Sequence, residues 1–369
     1  MRIAILADPI DNQSAGIHHY TLGMVKGLGT INSKHEYFVV RPIKAPAIGS
    51  IPEIIVNNYS NIPGYKAFRM FIALPYLLSR WKMDVVVEPA HFGPFNLPEQ
   101  IRRVTVIHDL TPLLFPQYHR WHSQTLQRIF LKSILRKAKL VIANSAYTMA
   151  DIQQRFPFTQ DKTNFIYPGT HPAYMPVRNP EIPLKYGIHA PYFISVGTIE
   201  PRKNLDMLLD AFAMLCESSP GTTLPYWLIC GQKGWKSESF FRKLQSHPNR
   251  QQIKLTGYVA QEDLPALYTH ATALLMPSLY EGFGMPLTEA MACGTPCIVS
   301  ASSCLPETGG DAALVCDPHQ ANQWAETMEY LLENPQKRLE LSDKALERAG
   351  LFSWEIYART FDREMDKLA

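Results

Sequence analysis

The sequence predicts two doubly wound α/β domains, and three observations carry that prediction. Apolar, strand-like runs alternate with helical stretches along almost all of the 369 residues. The alternation falls into two series of roughly 170 residues each, an ordinary domain size. Between them lies THPAYMPVRNPEIPLKYGIHAP, rich in proline and polar residues and without period, which is linker composition. Strands separated by helices imply parallel βαβ units, and two series imply two open sheets. The expected divisions are residues 1–172, a linker at 173–190, a second domain at 191–352, and a final helix at 353–369.

In the first series the strands are RIAILA, VVVEPA, VTVIHDL, KLVIANS and NFIYPG, with helices such as IHHYTLGMVKGL and RWHSQTLQRIFLKSILRKA between them. In the second they are YFISVGT, YWLICG, IKLTGYV, ALLMPS, TPCIVS and AALVCDP, separated by helices that include LDMLLDAFAMLCES and MPLTEAMAC. The closing SWEIYARTFDREMDKLA reads as an amphipathic helix with Ser353 at its N-cap. No repeat and no low-complexity tract interrupts the pattern.

Composition narrows the setting. MRIAILAD reads as a strand rather than a signal peptide. No apolar run reaches the ~18 residues of a membrane span, and the nearest candidate, MFIALPYLL, contains Pro75. The six cysteines lie among apolar neighbours without a metal or redox spacing, so buried free thiols in a reducing cytoplasm are expected. The net charge of +3 hides an asymmetry. Residues 1–180 hold 20 Lys/Arg and 10 Asp/Glu, net +10; the remainder holds 16 and 23, net −7. A basic half and an acidic half suggest domains with different partners.

Ligands of open parallel sheets bind beyond the C-terminal ends of strands, so the cleft between two such sheets is the expected site. Gly16, before the first helix, would let backbone approach a phosphate, with an ordinary turn as the alternative. No G-x-G-x-x-G accompanies it, so a dinucleotide fingerprint is not supported. His108 and Asp109 end the strand VTVIHDL; they read as a substrate-facing polar pair or as a core histidine with a helix-capping aspartate. In VGTIEPRKN, Arg202 and Lys203 open the next helix and make an anion site, unless the loop is simply solvated.

The stretch PSLYEGFGMPLTEAMACGTPCIVS is the most informative. Gly282 and Gly284 permit a sharp turn, Pro286 starts a helix and Gly294 ends it. The helix is expected over roughly residues 286–293, with the N–H groups of Leu287, Thr288 and Glu289 open to a phosphate. Glu281 and Glu289 flank this turn. Carboxylates accept hydrogen bonds and so suit hydroxyls, not phosphate oxygens. A nucleoside diphosphate sugar has hydroxyls on both sides of its phosphates and satisfies both demands.

These residues resemble those of the retaining glycosyltransferases of family 4, with the GT-B fold: two Rossmann-like domains facing across a cleft, the C-terminal helix crossing back to the first. The matching pieces are VIHDL, GTIEPRKN, TGYV, PSLYEGFGMPLTEAMACGTPCIVS and PETGGDAALVCDP. The resemblance implies that residues 1–172 bind acceptor and 191–352 bind the nucleotide sugar. It implies that Arg202 and Lys203 neutralise the diphosphate, Glu281 contacts donor-sugar hydroxyls and Glu289 holds the ribose. Gly197 and the backbone of Gly282, Phe283, Gly284, Met285, Leu287 and Thr288 would line sugar and phosphates. Tyr258 and Val259 would flank the base, Gly16 would give its amide to phosphate, and His108 would face the donor sugar. Paired glycines are common in the family where this chain has Ala15-Gly16, a departure at that contact.

No D-x-D triplet occurs, so the diphosphate is expected to be held without metal, by Arg202, Lys203 and the helix N-terminus. No cofactor is expected; the nucleotide sugar is substrate. The resemblance implies retention of anomeric configuration, and front-face transfer is the expected route. The donor expected by analogy is GDP-mannose, in bacterial O-antigen or lipopolysaccharide assembly; UDP-glucose, UDP-galactose and UDP-N-acetylhexosamine are the alternatives. In HRWHSQTLQRIFLKSILRKAK, Arg120, Arg128, Lys132 and Arg136 form a basic face and Trp121, Leu126, Ile129, Phe130, Ile134 and Leu135 an apolar one. That segment is a solvated helix or a contact with anionic lipid or a lipid-diphosphate acceptor at the inner face of the plasma membrane. KAFRMFIALPYLLSRWK could contribute to that contact, with core packing as its first reading. A nucleotide-sugar epimerase is disfavoured by the Glu281/Glu289 pair, and a nucleic-acid binder by the lack of any recognition motif.

Overall fold

The computed structural model describes residues 1–11, 15–59, 61–90, 93–94, 96–115, 117, 121–218 and 223–369, without the side chains of 15 and 121–128. The chain divides into two compact units. The first comprises Met1–Leu113, His122–Gly169 and Phe352–Ala369; the second comprises Leu114–Trp121 and Thr170–Leu351.

Among the described residues the first unit carries a seven-stranded sheet. Its strands are β1 (Arg2–Leu6), β2 (Glu36–Arg41), β3 (Glu53–Ile55), β4 (Val85–Glu88), β5 (Arg102–Ile107), β6 (Ala138–Ala143) and β7 (Thr163–Phe165). The order is β3-β2-β1-β4-β5-β6-β7, every pair parallel. β1 shows why the strands are nearly continuous in apolar residues. Ile3 and Ile5 point to one core with Val85, Val87, Val104 and Val106, while Ala4 and Leu6 point to another with Val86, Leu74 and Leu78. The strands β2 and β3 have no counterpart among the expected runs. β2 is preceded by polar residues, and β3 is a three-residue edge strand too short to show a period.

The second unit has a six-stranded sheet of β8 (Tyr192–Val196), β9 (Tyr226–Cys230), β10 (Ile253–Gly257), β11 (Ala273–Met276), β12 (Cys297–Ser300) and β13 (Ala313–Cys316), again among the described residues. The order is β10-β9-β8-β11-β12-β13, all parallel. Its core gathers Phe193, Trp227, Leu275 and Ile298 against Phe212 and Trp324 from flanking helices. In each sheet the chain builds outward from one central strand, then returns to its other side. The order therefore reverses between β1 and β4, and between β8 and β11, opening a crevice at the carboxyl ends of those strands.

The C-terminal helix, Trp354–Asp366, belongs to the first unit, with Ser353 as N-cap accepting the Ile356 N–H at 3.1 Å. It packs on the Ala15–Leu28 helix. A Cβ at Gly23 would overlap the Trp354 indole, so the small residue is what lets the two helices approach. Tyr357, Phe361 and Met365 are fully buried there.

The segment expected as a linker, 173–190, is instead packed on the second unit. It forms the Glu181–Lys185 helix and buries Tyr174 and Ile188. Lys185 and the Tyr186 hydroxyl both donate to Asp263 at 2.7 Å. Proline and polar composition therefore marked a surface wrap held by side-chain bonds, not a free tether. No helix among the described residues is long and apolar enough to cross a membrane.

Candidate active site

The second unit places its charged residues at the reversal between β8 and β11. β8 ends at Val196, and Gly197 follows with φ +136°, a conformation that favours glycine. The Lys203 side chain lies across it: a Cβ at Gly197 would stand 3.4 Å from Nζ. Arg202 and Lys203 sit on a short 3-10 turn, Pro201–Lys203, not on the helix itself, which starts at Leu205. Asn204, left-handed at φ 56°, ends that turn and donates to the carbonyls of Pro277 and Pro318 at 3.2 and 2.7 Å. The turn is thereby pinned to the end of β11.

Glu281 follows β11 and meets both cations. Its Oε1 accepts from Lys203 Nζ at 2.7 Å, and its Oε2 pairs with Arg202 Nη1 at 2.7 Å. The same Arg202 nitrogen donates to the Tyr280 carbonyl at 2.7 Å, and Nη2 donates to Glu200 at 2.6 Å. Burial pushes the Glu281 carboxyl up, but the adjoining Arg202 and Lys203 more than reverse this and hold it at about 2. Burial pushes Glu200 above the usual carboxylate range, against the pull of Arg202. The cluster sets the Arg202 and Lys203 side chains against an ionised Glu281. An incoming diphosphate can take over those cations, leaving Glu281 to accept hydroxyl hydrogen bonds.

The turn after Glu281 leads into the Met285–Ala292 helix, with Gly284 as N-cap at φ 88°. The helix begins one residue earlier than expected, which corrects the set of open amides. The Leu287 N–H donates to the Gly284 carbonyl at 2.9 Å, and Thr288 and Glu289 lie within the helical ladder. The N–H groups ahead of the first intrahelical bond are those of Gly284 and Met285, because Pro286 has none. The side chains of Phe283, Leu287 and Thr288 are buried.

Glu289 stands one turn along the helix. The Tyr268 hydroxyl donates to it at 3.2 Å, and Tyr174 provides a second hydrogen bond. Burial raises its carboxyl to about 7 against these two bonds. Near neutral pH it therefore changes between acceptor and donor. Tyr258, just beyond β10, is 76% exposed, whereas the Val259 side chain is buried.

In the first unit, Gly16 is exposed and a Cβ there would meet nothing, so packing does not require a glycine. His108 follows β5. Its Nε2 is 2.7 Å from the Pro89 carbonyl, which can only accept, so Nε2 carries the proton. Burial lowers its basicity against that hydrogen bond, giving a neutral ring. Asp109 accepts the Thr111 N–H at 3.0 Å, a local turn bond of the capping kind.

The expected lipid-facing helix is observed as Trp121–Lys137. Lys132 and Arg136 are exposed. Of the apolar residues expected to face lipid, Ile134 and Leu135 are buried while Ile129 is 59% exposed, so the expected face packs inward only in part. Arg120, and the side chains of Arg128, Trp121 and Leu126, lie outside the described residues. Glu200, Tyr268 and Tyr174 had no signal of their own in the sequence. Glu200 precedes Arg202 by two residues in the same loop, whereas Tyr268 and Tyr174 come from separate elements and only the fold brings them to Glu289. All six cysteines are free and buried.

Residues 15–174 match the family described as Glycosyltransferase Family 4, and residues 181–348 match Glycosyl transferases group 1. The chain is 30% identical to O-antigen chain mannosyltransferase B of Escherichia coli, over 96% of this chain and 97% of that protein. It is 28% identical to the serotype-specific mannosyltransferase WbdA of the same species, over 69% of this chain and 32% of the other. Among solved structures, sucrose-phosphate synthase of Thermosynechococcus elongatus is similar with a TM-score of 0.76 at 20% identity, covering 100% of this chain and 99% of that one. HepE of Anabaena, solved with UDP and glucose, gives 0.72 at 18% identity, with full coverage of both chains. The fold is therefore GT-B, and with a 30% identical relative aligned along nearly its whole length, the chain belongs to the family 4 glycosyltransferases.

Proposed function

We propose that this chain moves mannose from GDP-mannose, with retention and without metal, onto a glycan or lipid-linked saccharide in bacterial O-antigen or lipopolysaccharide assembly. The observation that carries the proposal is the Arg202–Glu281–Lys203 cluster at the β8/β11 reversal, beside the N-terminus of the Met285–Ala292 helix. The choice of mannose is supported by the mannosyltransferase relatives.

In this reading Arg202, Lys203 and the amides of Gly284 and Met285 hold the diphosphate and stabilise its charge as it leaves. Glu281 accepts hydrogen bonds from the donor sugar and Glu289 from the ribose; Tyr258 stacks on the base. The bond from the anomeric carbon to the phosphate oxygen breaks, and its electrons leave with GDP. The acceptor oxygen bonds to the same face, and its proton passes to the departing phosphate oxygen. His108, neutral and donating through Nε2, orients groups and is not the base. The protein works in the cytoplasm, with Lys132 and Arg136 supplying charge toward an anionic membrane.

The test is thermal denaturation with GDP, UDP, GDP-mannose and UDP-glucose. At 100 times Kd a ligand that binds only the folded state stabilises by about 2.7 kcal/mol, so the right nucleotide declares itself as a rise in Tm. A rise with GDP and GDP-mannose supports the proposal. A rise confined to UDP compounds replaces it with a UDP-sugar transferase. Product anomer configuration by NMR, with and without chelator, tests retention and metal independence.

A further inference from the structure

The turn that carries Glu281 is clamped by one neighbouring loop. β12 pairs with β11, so the loops that follow them meet at the same end of the sheet. Residues 301–304 follow β12 and lead into the Leu305–Gly309 helix. From this segment three short side chains reach backbone atoms of the turn. The Glu281 N–H donates to Ser303 Oγ at 2.9 Å, Cys304 Sγ donates to the Glu281 carbonyl at 3.2 Å, and Thr308 Oγ1 donates to the Phe283 carbonyl at 2.9 Å. Leu305 closes the same gap, since a Cβ at Gly284 would stand 2.9 Å from its Cδ2. The clamp is itself held by Arg348, which donates to the Glu307 and Thr308 carbonyls at 2.6 and 3.1 Å.

Ser303 adopts φ 54°, the left-handed region that residues with a side chain rarely enter. Glycine would sit there without steric cost. What serine adds is a hydroxyl, and its direction is fixed. Oγ donates its proton to the Ser302 carbonyl at 2.7 Å, which turns its lone pairs to the Glu281 N–H. Cys304 is fully buried. Burial, and then the nearby Glu281 charge, push its thiol well above the ordinary range, so it keeps the proton it donates.

We propose that Ser303, supported by Cys304 and Thr308, is a positioning residue for sugar transfer, acting through the Glu281 backbone. Two restraints act on Glu281. Arg202 and Lys203 hold its carboxylate, and the loop after β12 holds its peptide groups. A diphosphate that takes over the two cations weakens the first restraint at the moment the sugar needs the carboxylate. The second does not depend on those cations, and it keeps Glu281 aimed at the sugar. The inference rests on the reading of Glu281 as the donor-sugar contact and adds the residues that aim it.

The experiment compares S303G with S303A, using GDP and GDP-mannose or whichever nucleotide pair the thermal screen selects. Both variants remove the hydroxyl, but only alanine is strained at this φ, so S303G should melt above S303A. Both should lose kcat alike, by about 10- to 100-fold, with GDP affinity by calorimetry within about twofold of wild type. T308V should also lose kcat, and T308S should recover most of it. E281Q/S303G should be no slower than E281Q, because Ser303 acts only through Glu281. Amide hydrogen exchange at residues 281–284 should be faster in S303G than in wild type. Four outcomes overturn the proposal: wild-type kcat in S303G, kcat that follows Tm across the two variants, an additive loss in the double variant, or unchanged exchange at Glu281. Exchange is read without donor or acceptor, so failure of the clamp is distinguished from failure of the sugar-contact reading.

Discussion

Lys203 Nζ lies 2.7 Å from Glu281 Oε1, while Arg202 occupies the other oxygen of the same carboxylate. The two cations come from the loop after β8 and the acid from the loop after β11, strands that are neighbours only because the sheet order reverses there. In the folded protein Glu281 is held at about 2, so its stabilising contribution is complete above the unfolded value near 4.5 and is lost as pH falls from there toward 2.

Glu281→Gln keeps the shape of this site and frees both cations from their counter-ion. Binding of GDP, measured by calorimetry, should be retained or tightened, while transfer should fall by about 10²–10³-fold, the scale for losing one preorganised group at a reacting centre. Lys203→Ala should do the reverse to binding, weakening GDP together with transfer. Equal activity of both variants and wild type would remove the cluster from the mechanism.

Glu289 titrates at about 7 in the folded, unliganded chain, raised by burial. A ribose diol that donates to it favours the ionised form, so binding releases a proton. Nucleotide affinity should therefore rise with pH up to about 7 and level off above it. In Glu289→Gln the affinity should be lower and flat over the same range. Titrations of both proteins between pH 5.5 and 8.5 check the sign.

The Tyr258 ring is exposed and does not support the core. Tyr258→Ala should weaken nucleotide binding by about 1–3 kcal/mol, the range for loss of one base–aromatic stack, without lowering the Tm of the free protein. Tyr258→Phe should preserve the affinity. A loss in the Phe variant equal to that in the Ala variant would point to the hydroxyl instead of the ring.

The Tyr20 and Tyr357 hydroxyls meet at 2.6 Å in the core of the first unit, joining the Ala15–Leu28 helix to the C-terminal helix. Each single Tyr→Phe change orphans the other hydroxyl and should cost about 1–3 kcal/mol in urea unfolding. The double Phe variant should lose less than the sum of the two, because no buried hydroxyl is left unpaired. Additive losses would show that the pair is not coupled.

The parallel architecture was legible because both faces of each sheet are covered, which writes Val85–Val87 and Leu274–Met276 as plain apolar runs. The glycine turn, the helix beginning near Pro286 and the Ser353 cap were legible for a similar reason: each is a local backbone demand answered by a local residue type. The partners were not. Tyr280 against Arg202, Tyr174 and Tyr268 against Glu289, and Asp8 beneath Arg69 are separated along the chain, and no spacing announces them. Nor could the sequence decide which apolar stripe is core. Ile134 and Leu135 are buried while Phe71 and Ile72 are not, although both pairs sit in amphipathic or wholly apolar segments with basic neighbours. Periodicity fixes which residues share a face, but burial depends on what the rest of the chain brings against that face, and only the tertiary structure supplies it.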